Sequence, residues 1–581
     1  MRSAWQFCRR EPALAAVIVL TLAVGIAANS AIFSVVNGVL LQPLAYRQPG
    51  RLVALAEVAP RLIKRYPTIP VNAPAFLAWQ RQARAFSGMA LVGQNSMDLT
   101  GAGRPEALDA AQVTPDLFRV LGARLLLGRD FLPHANQPGH QFVAILTAGM
   151  WRTRFGGDPN VIGRAITLDG HPYTVIGVLP ASFQFPKGYE LNDIVNLGTG
   201  ARLFVPRVFS HDDLGGGNFN YAVIARLRPG FSPAQAAAEL NLIQQGVNRK
   251  FPQMGELQTA VVPLRQMIVG AAQRGLWLLL GAVLALLLIV CVNLANLLLA
   301  RASGRRREMA IRGALGASPA RLLRLALGET VVLALAGGAI GLVLADFALR
   351  ALLHWAPPGL PRLANVRLDG AVLWFTLGIS ILAGVLAGAW PAWRMARSDP
   401  QEALRAGGGA RAGESPGGRR GRELLAGIET ALTAALLVTA GLLLASFNRL
   451  VNVPKGFNTQ HLLTVRLQLP SAEYGQSAQR SGFWRRVLAA TRGLPGVTAA
   501  AVISDPPLSG NTDVNPVTVP GDTRPIIQQP LANTRRISPG YLAMMGIPLL
   551  SGRELTAADR GHPVAVISAS TARAAWPERN P

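Results

Sequence analysis

The 581-residue sequence predicts a membrane protein, an α-helical transmembrane bundle carrying α+β extracytoplasmic domains, and three observations predict it. Half of the residues are hydrophobic and the mean hydropathy is positive, at +0.29. Five apolar segments, 12–40, 275–300, 327–353, 371–393 and 424–447, each reach the roughly 20 residues that a bilayer crossing requires. Basic residues are spread unevenly between them. The intervals 1–11, 301–326 and 394–423 hold 17 of the 57 Lys and Arg, whereas 41–274 holds 23 over a much longer stretch. The positive-inside bias then places the three dense intervals, and with them the N-terminus, in the cytoplasm.

Taken in order, residues 1–11 form a cytoplasmic N-terminus and 12–40 the first span. The apolar run is too long for a signal peptide, and no small-residue cleavage site precedes Pro43, so a retained anchor is expected. Residues 41–274 form an extracytoplasmic domain. The β-branched stretches at 171–180 and 221–230 close on Pro and Gly, as strands do. Helices are expected after an Asn cap at Asn72 and after Ser232-Pro233. The two cysteines, Cys8 and Cys291, lie on the cytoplasmic side and in the second span, so packing rather than disulfides must stabilise the outer domains.

After the second span, 275–300, comes a strongly basic segment, 301–326. Glu308 and Arg312 stand four apart in the favourable order, and Ile311, Ala314 and Leu315 share one face of a short helix. Gly316 can end that helix, and Ser318-Pro319 can start the next, so the elbow should run helix, break, helix. The sequence REMAIRGALGA within it resembles the coupling segment of MacB-like/FtsX-like ABC transporter permeases. In that family a short cytoplasmic helix receives force from a separate ATPase. The resemblance implies a cytoplasmic ABC ATPase subunit as partner, docked on Arg307, Glu308, Met309, Ile311, Arg312, Leu315, Gly316 and Ala317. It also implies the bacterial inner membrane as location, no cofactor, and a core domain at 41–274 that commonly carries an inserted second lobe.

The third and fourth spans, 327–353 and 371–393, lead into a Pro-Ala, Arg, Asp-Pro and Ala-Leu-Arg pattern ending at Arg405, which family members often share. Residues 406–422 are rich in Gly and Arg without periodicity, and the interval 394–423 reads as a cytoplasmic linker. A fifth span, 424–447, and a second outer domain, 448–581, follow.

The second outer domain repeats the first. VTPDLFRVLGARLLLGRDF at 113–131 recurs as ISPGYLAMMGIPLLSGREL at 537–555, with Gly122, Gly128 and Arg129 matching Gly546, Gly552 and Arg553 at a constant offset of 424. VAILT at 143–147 recurs as VAVIS at 564–568 after a three-residue shift. The duplication and the linker resemble the branch of the family built from two half-units. By that alignment Pro581 corresponds to about Asn160, so the second half is expected to be C-terminally incomplete.

Polar residues inside the spans have structural readings. Asn293 and Asn296 are expected to act as interhelical glue, Asp346 to pair with Arg350, and Glu429 to lie near an interface. The pairs Gly337 with Gly341 and Gly384 with Gly388 should permit close helix packing. Enzymatic chemistry finds no footing. None of the lysines, Lys64, Lys187, Lys250 and Lys455, precedes Ser or Thr, so the chain has no Walker A motif. HExxH, CxxC and GxSxG are also absent, which argues against zinc and serine-hydrolase sites. The charge of +26 follows topology, with no nucleic-acid-binding pattern behind it. Three readings follow. The first is a permease subunit that couples a separate ATPase to motion of the outer domains in export. The second is a membrane regulator of a periplasmic partner such as a cell-wall hydrolase. The third is a membrane-anchored binding protein without energy coupling.

Overall fold

The computed structural model describes residues 11–577 apart from 65, 102–104, 187–199, 315–317, 356–360, 397–415, 468, 470–472, 510–512 and 526–527. Residues 1–10 with Cys8, most of the 394–423 linker, and Leu315, Gly316 and Ala317 thus lie outside the described residues. The chain divides into two compact units, Met1–Gln42 with Val269–Val453, and Pro43–Ile268 with Pro454–Pro581.

The first helix, α1 (Pro12–Val36), ends in one π-turn, Asn37–Leu41. The outer unit then opens with β1 (Leu52–Val58), β2 (Val71–Asn72), α2 (Ala73–Gln82), β3 (Phe86–Thr100) and β4 (Glu106–Val113). It continues through α3 (Leu117–Leu121), β5 (Leu127–Gly128), β6 (Val143–Leu146), α4 (Ala148–Phe155), β7 (Ala165–Leu168) and β8 (His171–Val178). The remaining elements are β9 (Leu203–Pro206), β10 (Phe219–Leu227), α5 (Pro233–Lys250) and β11 (Gln258–Pro263). One mixed sheet runs β11-β1-β10-β3-β4-β9-β6-β8-β5, and two separate cores form on it. Trp79, Phe76, Leu91, Val223 and Leu240 build one core between the sheet and helices α2 and α5. Met97, Leu108, Leu146, Ile166 and Val175 build the other around β6 to β8. Both expected helix starts are capped by side chains. Asn72 accepts from the Ala75 N–H at 2.9 Å, and Ser232 exchanges capping-box bonds with Gln235.

The membrane unit contains α1, α6 (Leu264–Ala314), α7 (Pro319–Trp355), α8 (Gly370–Ala396) and α9 (Pro416–Val451). Five stretches are long and apolar enough to cross a membrane: Pro12–Leu41, Ala272–Leu299, Leu323–Trp355, Gly370–Trp393 and Glu423–Val451. Gly341 lets α7 approach α1 so closely that a Cβ there would sit 2.9 Å from the Ala23 carbonyl oxygen. Gly384 does the same for α8 against Val331 of α7, at 2.8 Å. The Asp346–Arg350 pair forms at 2.7 Å. The interhelical glue, however, is not where the sequence suggested. Asn293 lies on an exposed helix face, and the Asn296 Oδ1 is buried without a partner. The bridges come from α1, where Asn29 donates to the Val283 carbonyl at 2.8 Å and Ser30 bonds Thr376 at 2.8 Å. Packing decides which asparagine meets a neighbour, and α1, more than half buried, lies at the centre of the bundle. By contrast α9 exposes its apolar side chains, with Leu437, Leu442 and Leu443 each at least 66% exposed.

Beyond α9 lie α10 (Ser477–Arg492), β12 (Val514–Pro516), β13 (Leu531–Asn533), α11 (Tyr541–Met544) and α12 (Ala569–Ala575). The repeated segments fold alike. The Ala123 N–H donates to the Phe118 carbonyl and the Ile547 N–H to that of Leu542, both at 2.9 Å, and Gly122 and Gly546 are left-handed at φ 67° and 64°. Thr114 Oγ1 accepts from the Leu91 N–H at 3.0 Å, and Ser538 Oγ from the Val502 N–H at 2.9 Å. Thr147 caps α4 as Ser568 caps α12. The likeness reaches back to the membrane exit, since Arg47 packs against Gly122 as Asn458 packs against Gly546.

Candidate functional site

The basic segment emerges as the end of α6 rather than as a helix of its own. Arg307, Glu308, Met309, Ile311 and Arg312 all fall within α6, which runs unbroken for 51 residues from Leu264 to Ala314. The expected separate short helix is absent because nothing stops the long one. No proline occurs between Pro263 and Pro319, and Ser303-Gly304 is too weak a breaker among Arg, Ala, Met and Leu. The break expected at Gly316 falls on Leu315, Gly316 and Ala317, which lie outside the described residues. At 1.5 Å per residue α6 spans about 75 Å, far more than the roughly 30 Å of hydrocarbon. Its other end joins the sheet directly, since β11 finishes at Pro263 and pairs with β1 through Val53.

The second connection between membrane and sheet is the strap that follows α1, and it is pinned at both ends. Asn37 Nδ2 and Gln42 Nε2 donate to Asp369 Oδ2 at 2.9 and 2.8 Å, while Asp369 Oδ1 accepts the Val372 N–H at 3.0 Å and so caps α8. Arg362 Nη1 donates to the Val39 and Gln42 carbonyls at 2.9 and 2.8 Å. A π-turn leaves carbonyls out of α-helical register, which frees them for such partners. Gly38 permits the approach, as a Cβ there would lie 3.0 Å from the Asn365 carbonyl oxygen. At the far end Arg226 donates to the Val120 and Arg47 carbonyls, each at 2.7 Å, and Arg51 donates to the Leu227 carbonyl at 2.8 and 2.6 Å. Burial, with Arg51 and Arg47 close by, lowers the Arg226 pKa.

These pins were not visible in the sequence, because Asn37 and Asp369 are 332 positions apart. The signals available were the polar Asn37 and Gln42 at the end of an apolar run, and an Asp immediately before a glycine-led span.

No group of three or more His, Cys, Asp or Glu suited to a metal ion occurs among the described residues. One carboxyl is unusual. Glu57 is fully buried beneath α5, accepts from the Asn72 N–H and side-chain amide and from Gln244 Nε2 at 3.0 to 3.2 Å, and is pushed up to about 8 by burial.

Comparison with known proteins locates these parts. Residues 15–243 match the MacB-like periplasmic core domain, and residues 280–400 match the FtsX-like permease C-terminal domain. The macrolide export ATP-binding/permease protein MacB of Burkholderia thailandensis is 29% identical over 296 residues, covering 49% of this chain and 41% of that protein. Its namesake from Salmonella typhi is 27% identical over 298 residues, covering 51% and 43%. The chain thus spans about two fifths of the length of these relatives. The periplasmic region of MacB from Actinobacillus actinomycetemcomitans aligns over 42% of this chain and 97% of its own, at 13% identity and a TM-score of 0.29.

Proposed function

The chain is a MacB-like/FtsX-like ABC permease, and from that premise we propose that it couples ATP hydrolysis by a separate cytoplasmic ATPase to motion of its outer domains, in export across the bacterial inner membrane. The observation that carries this reading is α6, a single helix that begins where a sheet strand ends and finishes in the basic segment. A continuous helix is stiff along its axis, so displacement at one end arrives at the other. The strap after α1 offers a second, parallel link. The ATPase docks on Arg307 to Ala317 with the N-terminus and the 394–423 linker on the same, cytoplasmic side. The outer load is a substrate or a periplasmic partner.

Reconstitution with a cognate ATPase tests the coupling. Proline at Ile311 breaks the last turns of α6, at a cost of about 3 kcal/mol in a helix interior. Ile311→Pro and Arg307→Glu are expected to abolish stimulation of the ATPase while membrane insertion persists, and normal stimulation by both variants overturns the reading. Topology is tested separately. Cysteines introduced at Ser303 and Gly408 should label only from the cytoplasmic side, and labelling from outside refutes the orientation.

A further inference from the structure

One end of the outer domain collects exposed arginines and exposed apolar side chains. Two chain connections place this end beside the bilayer. Arg47 lies six residues beyond Leu41, where the first apolar stretch finishes, a reach of about 20 Å at full extension. Pro263 lies nine residues before Ala272, where the second begins, about 13 Å along α6. The register Leu52↔Arg226 and Val53↔Pro263 then sets the last residues of β10, and the loop after it, at the same end. Gly122 brings in a third segment, for a Cβ there would lie 2.6 Å from the Arg47 Cβ.

What these segments present is amphipathic. Arg47, Arg124 and Arg228 are exposed, and Arg228 also donates from Nε to the Phe86 carbonyl at 3.0 Å. Leu126 is 49% and Phe231 42% exposed, large values for side chains of this kind. Asp116 pairs with Arg119, Asp130 Oδ1 accepts the Phe131 N–H at 2.7 Å, and Glu239 accepts the N–H groups of Arg84 and Ala85. The second copy recreates the apolar part independently, with Leu550 at the position of Leu126 and 83% exposed, on the segment whose Gly546 meets Asn458 just past the fifth span.

We propose that residues 122–128 and 228–232 form a rim that seats on an anionic lipid surface. Leu126 and Phe231 enter the headgroup–acyl boundary of the leaflet on the domain's own side, and Arg47, Arg124 and Arg228 bind lipid phosphates. The rim rests on the membrane placement of the chain and is independent of the transport reading. A seated rim gives the strap and α6 a fixed surface to move against.

The unaltered full chain in nanodiscs, with phosphatidylglycerol and a lipid bearing a photoreactive group near its glycerol, supplies the test. Cross-linked lipid is expected on peptides covering 122–128, 228–232 and 546–552. The α5 peptide around Leu242, a leucine 68% exposed, should stay unlabelled. Labelling of the Leu242 peptide equal to that of 122–128, or no labelling of 122–128, overturns the seat. A triple variant, Arg47→Gln, Arg124→Gln and Arg228→Gln, is expected to label several-fold less, at the level the unaltered chain shows in discs of zwitterionic lipid alone. Undiminished labelling of that variant overturns the phosphate contacts.

Discussion

The two outer copies share a motif but not a sheet. In the first, β1 is buried along its whole length between β10 and β11. In the second, the stretch that follows the fifth span in the same way, 462–467, forms no strand, and Leu463 is 86% and Val465 67% exposed. Yet the turns at 114–123 and 538–547 match bond for bond. A helix with its left-handed glycine cap and one cross-strand tie needs only the residues nearby. A strand needs neighbours, and no described residue of the second copy takes the place of β10 or β11.

Hydrogen exchange should show the largest consequence. Amides of β1 and β10 are expected to exchange at least about a thousandfold more slowly than those of 462–467, since the former open only with the core. Equal protection would break the comparison by showing that the second stretch finds partners of its own. Truncation of a matched pair comes next. Phe118 is fully buried and meets Phe204 edge-to-face at 5.2 Å, whereas its counterpart Leu542 is half-buried. Phe118→Ala should cost about 3–5 kcal/mol, and Leu542→Ala about 1 kcal/mol, by urea unfolding followed with pulse proteolysis of each domain.

A glycine pair sharpens the contrast. Gly128 and Gly552 are both left-handed, at φ 74° and 79°. A Cβ on Gly128 would collide with the Ile176 carbonyl oxygen, because β5 pairs there with β8, but a Cβ on Gly552 meets nothing within 4 Å. Alanine at either position carries the backbone strain of about 1–2 kcal/mol, and only at Gly128 does it also push β5 away from β8. Gly128→Ala should therefore lower stability by roughly 3 kcal/mol and Gly552→Ala by no more than about 1–2 kcal/mol, in the same unfolding assay.

The same distinction explains how much was legible in the sequence. Features set by nearby residues could be read: the apolar spans, the caps at Asn72 and Ser232, and the repeated glycines. Features set by distant partners could not. Asn293 and Asn296 looked like interhelical glue, but Asn29 is the residue that faces another helix. The strap pins join Asn37 to Asp369 and Arg226 to Arg47 across long sequence separations. The unbroken α6 was missed for a different reason: an elbow was inferred from charge, and charge does not end a helix.

The last expected effect concerns pH, and it too separates the copies. Glu57 sits near the end of β1, wholly buried, with its pKa raised from 4.5 to about 8. Its hydrogen-bond partners are the neutral Asn72 and Gln244, and Gln244 is held in turn by Trp79 Nε1 at 3.1 Å. The folded domain keeps a proton that the unfolded chain releases above pH 4.5, so this contribution to stability is complete below 4.5 and is lost as pH rises through about 8. The slope in that window should be on the order of 1 kcal/mol per pH unit. Residues 462–467, LLTVRL, contain no carboxylate, so the second copy should show no such slope. In Glu57→Gln the amide turns an N–H₂ towards groups that already donate, which lowers stability at pH 5 but leaves it flat up to pH 8. Urea unfolding of the full chain at pH 5, 6.5 and 8, followed through proteolysis of the β1–α5 region, measures both lines. A wild-type stability that rises with pH, or a slope that survives in Glu57→Gln, would show that Glu57 is ionised in the fold and that its three amide donors outweigh its burial.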